Sequence, residues 1–308
     1  MRLEQEIAVT ELEGLRIGNA QNFQAKTGVT ILIFDRGARM GIDVSGGGPA
    51  SREAHLAHPL TADNPINALV LSGGSAYGLA ASSGVMQYME EHHIGFDTGF
   101  AKVPLICQAC IYDLGYGDAL IRPDAAMGYA ACLDAEKNKP AYGNVGAGTG
   151  ATVGKICGME RSTKAGLGIY AVQVGLLKMA AVVVVNALGD IYDPATGRMI
   201  AGLKTEDGRA YMDSRQEIYK LSQPTNMFTA NTTIGAVVTN GCFSKAEMSK
   251  IASMTRSAYC RCINPVGTMA DGDTIYAASI GDVQADINMA GVLAAEAMTQ
   301  AILKAFQE

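Results

Sequence analysis

Several residue types that usually fill a large core or cover a charged surface are scarce in this chain of 308 residues. Tryptophan is absent, aromatic residues make up 6% of the chain, and charged residues make up 18%. Glycine is abundant instead, with 36 residues, well above the average usage of about 7%. We therefore expect an ordered α/β or α+β protein whose interior is packed from small side chains, and not a disordered chain.

An excess of positive charge is also missing. The formal net charge is −6 and no stripe of Lys and Arg is visible, so we expect no nucleic-acid partner. The longest apolar run, "KMAAVVVVNAL" at 178–188, is too short to cross a bilayer, which argues against a membrane protein. The opening "MRLEQEIAVTELEG" has no signal-peptide pattern. We expect a soluble, cytoplasmic protein.

The seven cysteines cannot form a complete set of pairs. Cys107 and Cys110 have the CxxC spacing of redox and zinc sites, but no second CxxC accompanies them. Cys260 and Cys262 are one residue too close for a usual zinc knuckle. We therefore favour buried or unreactive thiols in a reducing compartment, with no metal, and the role of the CxxC stays open.

Apolar periodicity along the chain predicts strands and helices in mixed order. Two strands joined by a tight connection are expected within 167–193, and the polar stretch 204–231 is the best candidate for a linker. We therefore predict a single domain, residues 1–308, with a layered α+β fold. The other predicted elements are strands at 28–35, 39–49, 66–72, 232–240 and 273–279, and helices that start at Ser75, run from Ser244 towards Tyr259, and cover 214–221 and 288–306.

Three glycine-rich stretches resemble known motifs but each lacks a required residue. "GATVGKI" at 150–156 has Thr149 where a phosphate loop needs its first Gly and Ile156 where it needs Ser or Thr. "VGAGTGATVG" lacks the full dinucleotide spacing. "GGSAYG" has Tyr77 where a nucleophile elbow needs Gly. The four histidines lie in two local pairs that suit surface or capping roles, so an enzyme of this sequence needs another base.

The stretch "TANTTIGAVVTN" at 229–240 places small polar residues directly before a strand pattern. One interpretation is an ordinary turn. The other is that the backbone breaks before Thr232, which then carries both a hydroxyl nucleophile and an α-amine. An α-amine titrates near pH 8 and can accept the hydroxyl proton, so Thr232 could supply its own base.

Several motifs, in order along the chain, resemble the self-cleaving amide hydrolases related to the aminopeptidase DmpA, the β-peptidyl aminopeptidases and the nylon-oligomer hydrolase NylC. The resemblance covers nearly the whole sequence. The matching segments are "ALVLSGGSAYGL", "VPLICQACIYDLG", "GNVGAGTGATVGK", "VVVNALGDIYDPATGR", "NTTIGAVVTN" and "INPVGTMADGDTIYA". What it implies is an N-terminal-nucleophile hydrolase with an αββα four-layer sandwich, which needs no cofactor.

The resemblance also implies a cut between Asn231 and Thr232. It would give an α chain, 1–231, and a β chain, 232–308, that stay together, with Thr232 as the nucleophile. The relatives imply assembly into a homotetramer of αβ units or a larger oligomer.

The same resemblance gives roles to five further residues. Tyr112 and Asn186 match positions that hold the oxyanion, and Lys155 matches a lysine beside the nucleophile. Asp271 and Asp273 match a carboxylate pair that orients the amine. Each also has a structural interpretation: Asp271-Gly272-Asp273 is an ordinary turn sequence, Lys155 can lie at the surface, Tyr112 can pack in the core, and Asn186 must find a partner if buried.

The sequence leaves the substrate open. A small peptide or amide that loses its N-terminal residue is the main hypothesis, and endo-hydrolysis of ω-amino-acid oligomers of the nylon type is the alternative. A non-catalytic small-molecule-binding member of the fold is the third. Gly267 and Met269 differ from the bulkier or polar residues that many relatives have before the carboxylate pair, so we expect these positions to affect substrate choice.

Overall fold

The computed structural model describes residues 3–221 and 231–307. These residues form a ten-stranded sheet, five α-helices and several smaller sheets of two or three short strands. The sheet strands are β1 (Gln5–Glu6), β2 (Leu15–Asn22), β3 (Thr27–Val44), β4 (Ala50–Arg52), β5 (Ile66–Ser72), β6 (Ile106–Cys110), β7 (Leu167–Val174), β8 (Leu177–Val184), β9 (Ile234–Gly241) and β10 (Thr274–Val283). The helices are α1 (Ala81–Glu91), α2 (Ala125–Ala135), α3 (Ser214–Tyr219), α4 (Lys245–Cys262) and α5 (Ile287–Lys304).

Smaller elements surround the main sheet. Two-residue strands pair at Phe96–Asp97 with Lys102–Val103, at Thr152–Val153 with Thr163–Lys164, and at Leu203–Lys204 with Tyr211–Met212. A three-stranded sheet joins Asp190–Tyr192 to Met199–Ala201 and Ile263–Asn264.

The strand order of the main sheet is β1-β7-β8-β9-β10-β3-β5-β6-β4, and β2 also pairs with β3. The neighbours β9 and β10 are parallel, as are β5 and β6, and the other pairs are antiparallel. The parallel pair β9 and β10 is connected through α4, since parallel strands need a crossover connection. This crossover brings the starts of β9 and β10 to the same edge of the sheet.

The long strand β3 joins two halves of the sheet. Residues 27–34 pair with β2, and β5 lies on the other side, whereas residues 39–44 pair with β10. The register shifts between Ile33 and Ala38, and Gly37 has a φ of 75° there. The prediction of two separate strands in this region was wrong because the chain bends and changes partner within one continuous strand.

Alternate side chains of β3 show the layers of the fold. Leu32 and Phe34 belong to the large core shared by both halves, while Ile31 and Ile33 pack with the residues of α1 and α2. The Tyr276 hydroxyl on β10 donates to the Gln108 carbonyl on β6, 3.2 Å away, so the halves meet face to face. With α4 and α5 packed on the remaining face, the order is helices, sheet, sheet, helices.

Most predicted elements are present, with changed ends. The hairpin within 167–193 is β7 and β8, the strand at 66–72 is β5, and the helix that starts at Ser75 begins with a 3-10 turn before α1. Ser244 caps α4 and Glu247 closes a capping box, which explains the sharp helix start. Part of the predicted linker 204–231 lies outside the described residues, and its described part includes α3. No helix in residues 3–221 and 231–307 has the length and apolar character to cross a membrane.

Candidate functional site

The parallel pairing of β9 and β10 continues backwards beyond both strands. Ile234 pairs with Thr274, and the same offset appears in the isolated bridge between Asn231 and Asp271. The Thr274 N–H also donates to the Thr233 carbonyl, at 3.1 Å. The segment "NTT" before β9 therefore lies alongside "DGD" before β10, and a single strand register brings together two motifs 40 residues apart in sequence.

The Thr232 hydroxyl lies against the peptide bond that precedes it. Its Oγ1 donates a hydrogen bond to the Asn231 carbonyl oxygen. The same carbonyl oxygen accepts the Gly272 N–H at 2.9 Å. The Thr232 hydroxyl and the Gly272 N–H thus donate to the same carbonyl oxygen, and a backbone N–H in this position can stabilise negative charge on that oxygen.

Asn186, two residues after β8, is hydrogen-bonded to Thr232. Its carbonyl oxygen accepts the Thr232 N–H at 2.9 Å and Lys155 Nζ at 3.0 Å. Its side-chain Oδ1 accepts Lys155 Nζ at 2.8 Å and the Thr152 N–H at 3.1 Å, and its Nδ2 donates to the Tyr112 carbonyl at 3.1 Å. The buried amide at the end of an apolar strand therefore has partners for all its polar atoms, as burial requires.

The carboxylates of Asp273 and Asp271 bind the residue after Thr232 and the loop before β10. Asp273 accepts the Thr233 N–H at 2.7 Å through Oδ1 and the Gly267 N–H at 3.0 Å through Oδ2. Asp271 Oδ2 accepts the N–H of Thr268 at 2.9 Å and its hydroxyl at 2.6 Å. These bonds fix the residue after Thr232 and the loop that leads into β10.

The charges of this site are enclosed by the protein. Lys155 exposes 5% of its surface, and Asp271 and Asp273 each expose 1%. Burial lowers the pKa of Lys155 to about 7, although the charges of Asp271, Asp113 and Asp273 raise it. Burial and the charge of Asp271 raise the pKa of Asp273 above its usual range. Buried groups with displaced pKa values in a polar cluster are typical of catalytic sites.

The structure brings five of the predicted side chains, those of Thr232, Asn186, Lys155, Asp271 and Asp273, into one connected region. Tyr112 joins the region as well, but the contact described above is made by its backbone carbonyl, and its hydroxyl as an oxyanion donor stays a prediction. The predicted cut between Asn231 and Thr232 lies at the centre of the region.

Sequence patterns missed the backbone donors of the site. The N–H groups of Gly272 and Thr152 and the carbonyl of Asn186 carry no side-chain signal. The sequence also did not show that the glycine-rich turn after β3 contacts the site: the N–H groups of Ser45 and Gly48 donate to the carbonyls of Asp273 and Asp271, at 3.0 and 2.8 Å. The position of Gly272 inside "DGD" was the one available hint.

The hydrogen bonds of this region described above involve no cysteine side chain. Cys107, Cys110, Cys132 and Cys262 are buried, and burial raises the pKa of each thiol to about 12. Across the described ranges 3–221 and 231–307, no group of three or more His, Cys, Asp and Glu side chains is arranged to hold a metal ion.

Comparison with known sequences places the chain in a family. The model of peptidase family S58 matches residues 8–308. The chain belongs to peptidase family S58. This S58 member is 36% identical over 289 residues to an uncharacterized aminopeptidase of Mycobacterium tuberculosis (strain ATCC 25618 / H37Rv), a match that covers 90% of the chain and 82% of the relative. It is 32% identical over 312 residues to the 6-aminohexanoate-oligomer endohydrolase of Paenarthrobacter ureafaciens, with coverages of 96% and 84%.

Solved structures show the same fold at low sequence identity. The L-aminopeptidase D-Ala-esterase/amidase from Ochrobactrum anthropi, described as a variant of the Ntn hydrolase fold, matches with a TM-score of 0.71 at 14% identity and covers 97% of this chain and 85% of its own. A Burkholderia sp. beta-aminopeptidase matches with a TM-score of 0.68 at 17% identity, with the same coverages. The predicted Ntn-hydrolase-like α+β fold of this S58 member is therefore confirmed.

Proposed function

We propose that this S58 family member is a self-processing amide hydrolase whose nucleophile is Thr232. One observation carries the proposal: the Thr232 hydroxyl contacts the Asn231 carbonyl while the Gly272 N–H donates to the same oxygen. Membership of a peptidase family and the Ntn-type fold support an amide bond as the target. The first amide bond to be cut is the chain's own.

In the proposed cut, Thr232 Oγ1 attacks the carbonyl carbon of Asn231. The Gly272 N–H stabilises the negative oxygen that forms. Lys155, whose pKa of about 7 leaves a large neutral fraction at neutral pH, accepts the hydroxyl proton, and a proton passes to the Thr232 nitrogen as the C–N bond breaks. The product is an ester between Asn231 and the Thr232 oxygen. Water then hydrolyses this ester to give an Asn231 carboxylate and a free Thr232 amine.

After the cut, the same atoms serve a substrate. The Thr232 amine, which stays beside the Asn186 carbonyl, accepts the hydroxyl proton as Oγ1 attacks the substrate carbonyl. The leaving amine takes that proton, and an acyl-Thr232 intermediate forms. Water releases the acyl group. Asp273 keeps Thr233, and with it the nucleophile, in place through its bond to the Thr233 N–H.

For the substrate we propose a small peptide or amide from which an N-terminal residue is released. The aminopeptidase relative supports this choice. The relative that hydrolyses 6-aminohexanoate oligomers supports the alternative of endo-cleavage in a ω-amino-acid oligomer. Met269 is 86% exposed two residues before Asp271, so we propose that it contacts the acyl group. We also propose that the cut chains, 1–231 and 232–308, assemble as a homotetramer or larger oligomer, which light scattering can measure.

A pair of isosteric variants tests the cut. The wild-type protein should separate on a denaturing gel into two chains, the smaller being roughly one quarter of the 32.2 kDa total. Its first residue by N-terminal sequencing should be Thr232. Thr232→Val, which removes the hydroxyl and keeps the shape, should remain a single chain.

Thr233→Val is the matched control, because the neighbouring Thr233 Oγ1 has no hydrogen-bond partner among the described residues and takes no part in the proposed attack. This variant should still be cut. A wild-type chain that stays intact after long incubation, or a Thr232→Val chain that splits at the same bond, would rule out the mechanism. Release of p-nitroaniline from aminoacyl p-nitroanilides, compared with hydrolysis of 6-aminohexanoate oligomers, then separates exo from endo activity.

A further inference from the structure

Asp113 is a buried carboxylate, directly after Tyr112, that the proposed mechanism does not use. It exposes 3% of its surface. Its Oδ1 accepts the Gly74 N–H at 2.7 Å, and its Oδ2 accepts the Thr27 hydroxyl at 2.7 Å. Both oxygens act as acceptors in these bonds, which suits an ionised carboxylate.

Two glycine-containing segments close around this carboxylate. A Cβ atom on Gly73 would lie 1.9 Å from Asp113 Oδ2, and a Cβ atom on Gly150 would lie 2.4 Å from the same oxygen. Gly73 belongs to the turn after β5. Gly150 belongs to the loop that continues to Thr152 and Lys155, the two residues that contact Asn186 Oδ1. Asp113 therefore fills the space between the turn and the loop that carries the site lysine.

The charges of Asp113 and Lys155 act on each other. Burial raises the pKa of Asp113 above its usual range, although the bonds from Thr27 and Gly74 and the charge of Lys155 lower it. In return, the charge of Asp113 raises the pKa of Lys155, together with the charges of Asp271 and Asp273. The charge of Asp113 also acts on the Cys110 thiol, which burial keeps neutral.

We propose that Asp113 is a positioning residue for Lys155, which it serves by holding the 146–155 loop against the Gly73–Gly74 turn and by supplying a negative charge that stabilises the Lys155 ammonium. This role rests on the proposed function of Lys155 as the proton acceptor in the cut. It makes Asp113 a third carboxylate of the site, which precedes Lys155 in the sequence whereas the "DGD" pair follows it. Asp113 touches neither Thr232 nor the bond that is broken.

Asp113→Asn tests the proposal because it removes the charge and keeps the shape. The amide oxygen can still accept from Gly74, and the amide nitrogen can donate to the Thr27 hydroxyl. Without the charge, the pKa of Lys155 falls, so the pH midpoint of the cutting rate that belongs to Lys155 should move to lower pH by roughly half a unit or more. A change in packing alone would slow the cut without moving the midpoint.

Asp190→Asn is the matched control. Asp190 is a second buried carboxylate that accepts backbone N–H groups from Leu203 and Ser214 and the Ser214 hydroxyl, but its charge is not among those that shift the pKa of Lys155. Its substitution should leave the midpoint in place. Thr27→Val, which removes one donor from Asp113, is the milder second variant, and it should move the midpoint in the same direction by less.

A direct measurement separates this proposal from the proposed cut. The titration of the Lys155 side chain is followed by NMR of ¹³C-lysine in uncut Thr232→Val protein, with the signal assigned by its loss in Lys155→Met. A lower midpoint in Asp113→Asn but not in Asp190→Asn supports the role of Asp113 even if the wild-type chain is never cut, an outcome that would refute the proposed function alone. An unchanged Lys155 midpoint in Asp113→Asn, or an equal shift in both variants, overturns the inference.

Discussion

Thr232 is connected to its surroundings mainly through peptide groups. Its N–H donates to the Asn186 carbonyl, and its hydroxyl meets a carbonyl that also accepts the Gly272 N–H. Lys155 donates to the same Asn186 carbonyl that accepts the Thr232 N–H. A backbone framework of this kind is rigid, and rigid donors stabilise an oxyanion without reorganising during the reaction.

The difference between side-chain and backbone groups explains how much of the site could be predicted from the sequence. Lys155, Asn186 and the two aspartates could be named from the sequence because they have reactive or polar side chains and lie in segments that resemble the family's motifs. The N–H of Gly272 was not, because every residue except proline has one and only the register of β9 and β10 places this one at the Asn231 carbonyl. The part of Tyr112 that touches the site is, for the same reason, its carbonyl.

Lys155 should make stability depend on pH. Its pKa is about 7 in the folded chain and 10.5 for an ordinary lysine, so the native state binds fewer protons than the unfolded state between these values. Stability therefore rises with pH across this window, by at most about 1.4 kcal/mol per pH unit from this one group. Lys155→Met should lose that rise.

Urea unfolding of uncut Thr232→Val protein, with and without Lys155→Met, measures the effect. As the pH increases from 7.5 to 9.5, the free energy of unfolding of the protein with Lys155 should increase relative to that of the Lys155→Met protein. Two parallel curves over this range would show that Lys155 is not buried in its neutral form.

Close approach of backbones sets the geometry of the elements, which agrees with the shortage of large side chains in the composition. On α1, a Cβ atom at Gly84 would lie 1.7 Å from the Ala125 carbonyl oxygen at the start of α2. The two helices can pack this tightly because one of them has no side chain at the contact. The sequence showed the glycines but not which helix would meet them.

Gly84→Ala should therefore destabilise the protein by about 1–3 kcal/mol, because the cost of overpacking exceeds the gain of roughly 1 kcal/mol in helix propensity. Gly115→Ala is the control, since its Cβ atom would have Met159 Cγ as its nearest neighbour at 3.5 Å, an ordinary contact. Denaturant unfolding of both variants measures the difference. Equal stability of the two would contradict the close approach of α1 and α2.

Elements with strong local patterns were predictable, and those defined by distant partners were not. β8 and α5 were visible from their apolar runs and periodicity. β2 and α2 were missed: β2, "LRIGNAQN", mixes polar and apolar residues along one edge of β3, and α2, "AAMGYAACLDA", is built from small residues. The bend in β3 depends on the positions of β5 and β10, which no local window contains.

At the scale of the whole molecule, the reactivity of the cysteines reports how well the interior is shielded from solvent. Four of the seven are buried with thiol pKa values of about 12, Cys157 and Cys242 are half-buried, and Cys260 is exposed. The thiolate is the reactive form, so burial and a raised pKa protect the same four groups.

A thiol reagent such as iodoacetamide at neutral pH should label Cys260 first and leave Cys107, Cys110, Cys132 and Cys262 unmodified in the native protein. All seven should react after unfolding. Peptide mapping by mass spectrometry identifies the labelled positions. Rapid labelling of Cys107 or Cys110 in the native protein would show a reactive CxxC and contradict the unreactive-thiol hypothesis.

The position of β9 and β10 in the strand order affects how the protein can fold before and after the proposed cut. Both strands follow the proposed cut, yet they lie between β8 and β3, which precede it. An uncut chain assembles this centre of the sheet in a unimolecular reaction. Once cut, it could regain the sheet only through the encounter of two separate chains, at a rate set by their concentration. Folding as one chain would therefore be possible only before the cut. The lifetime of the mature protein would then be set by the barrier to its unfolding.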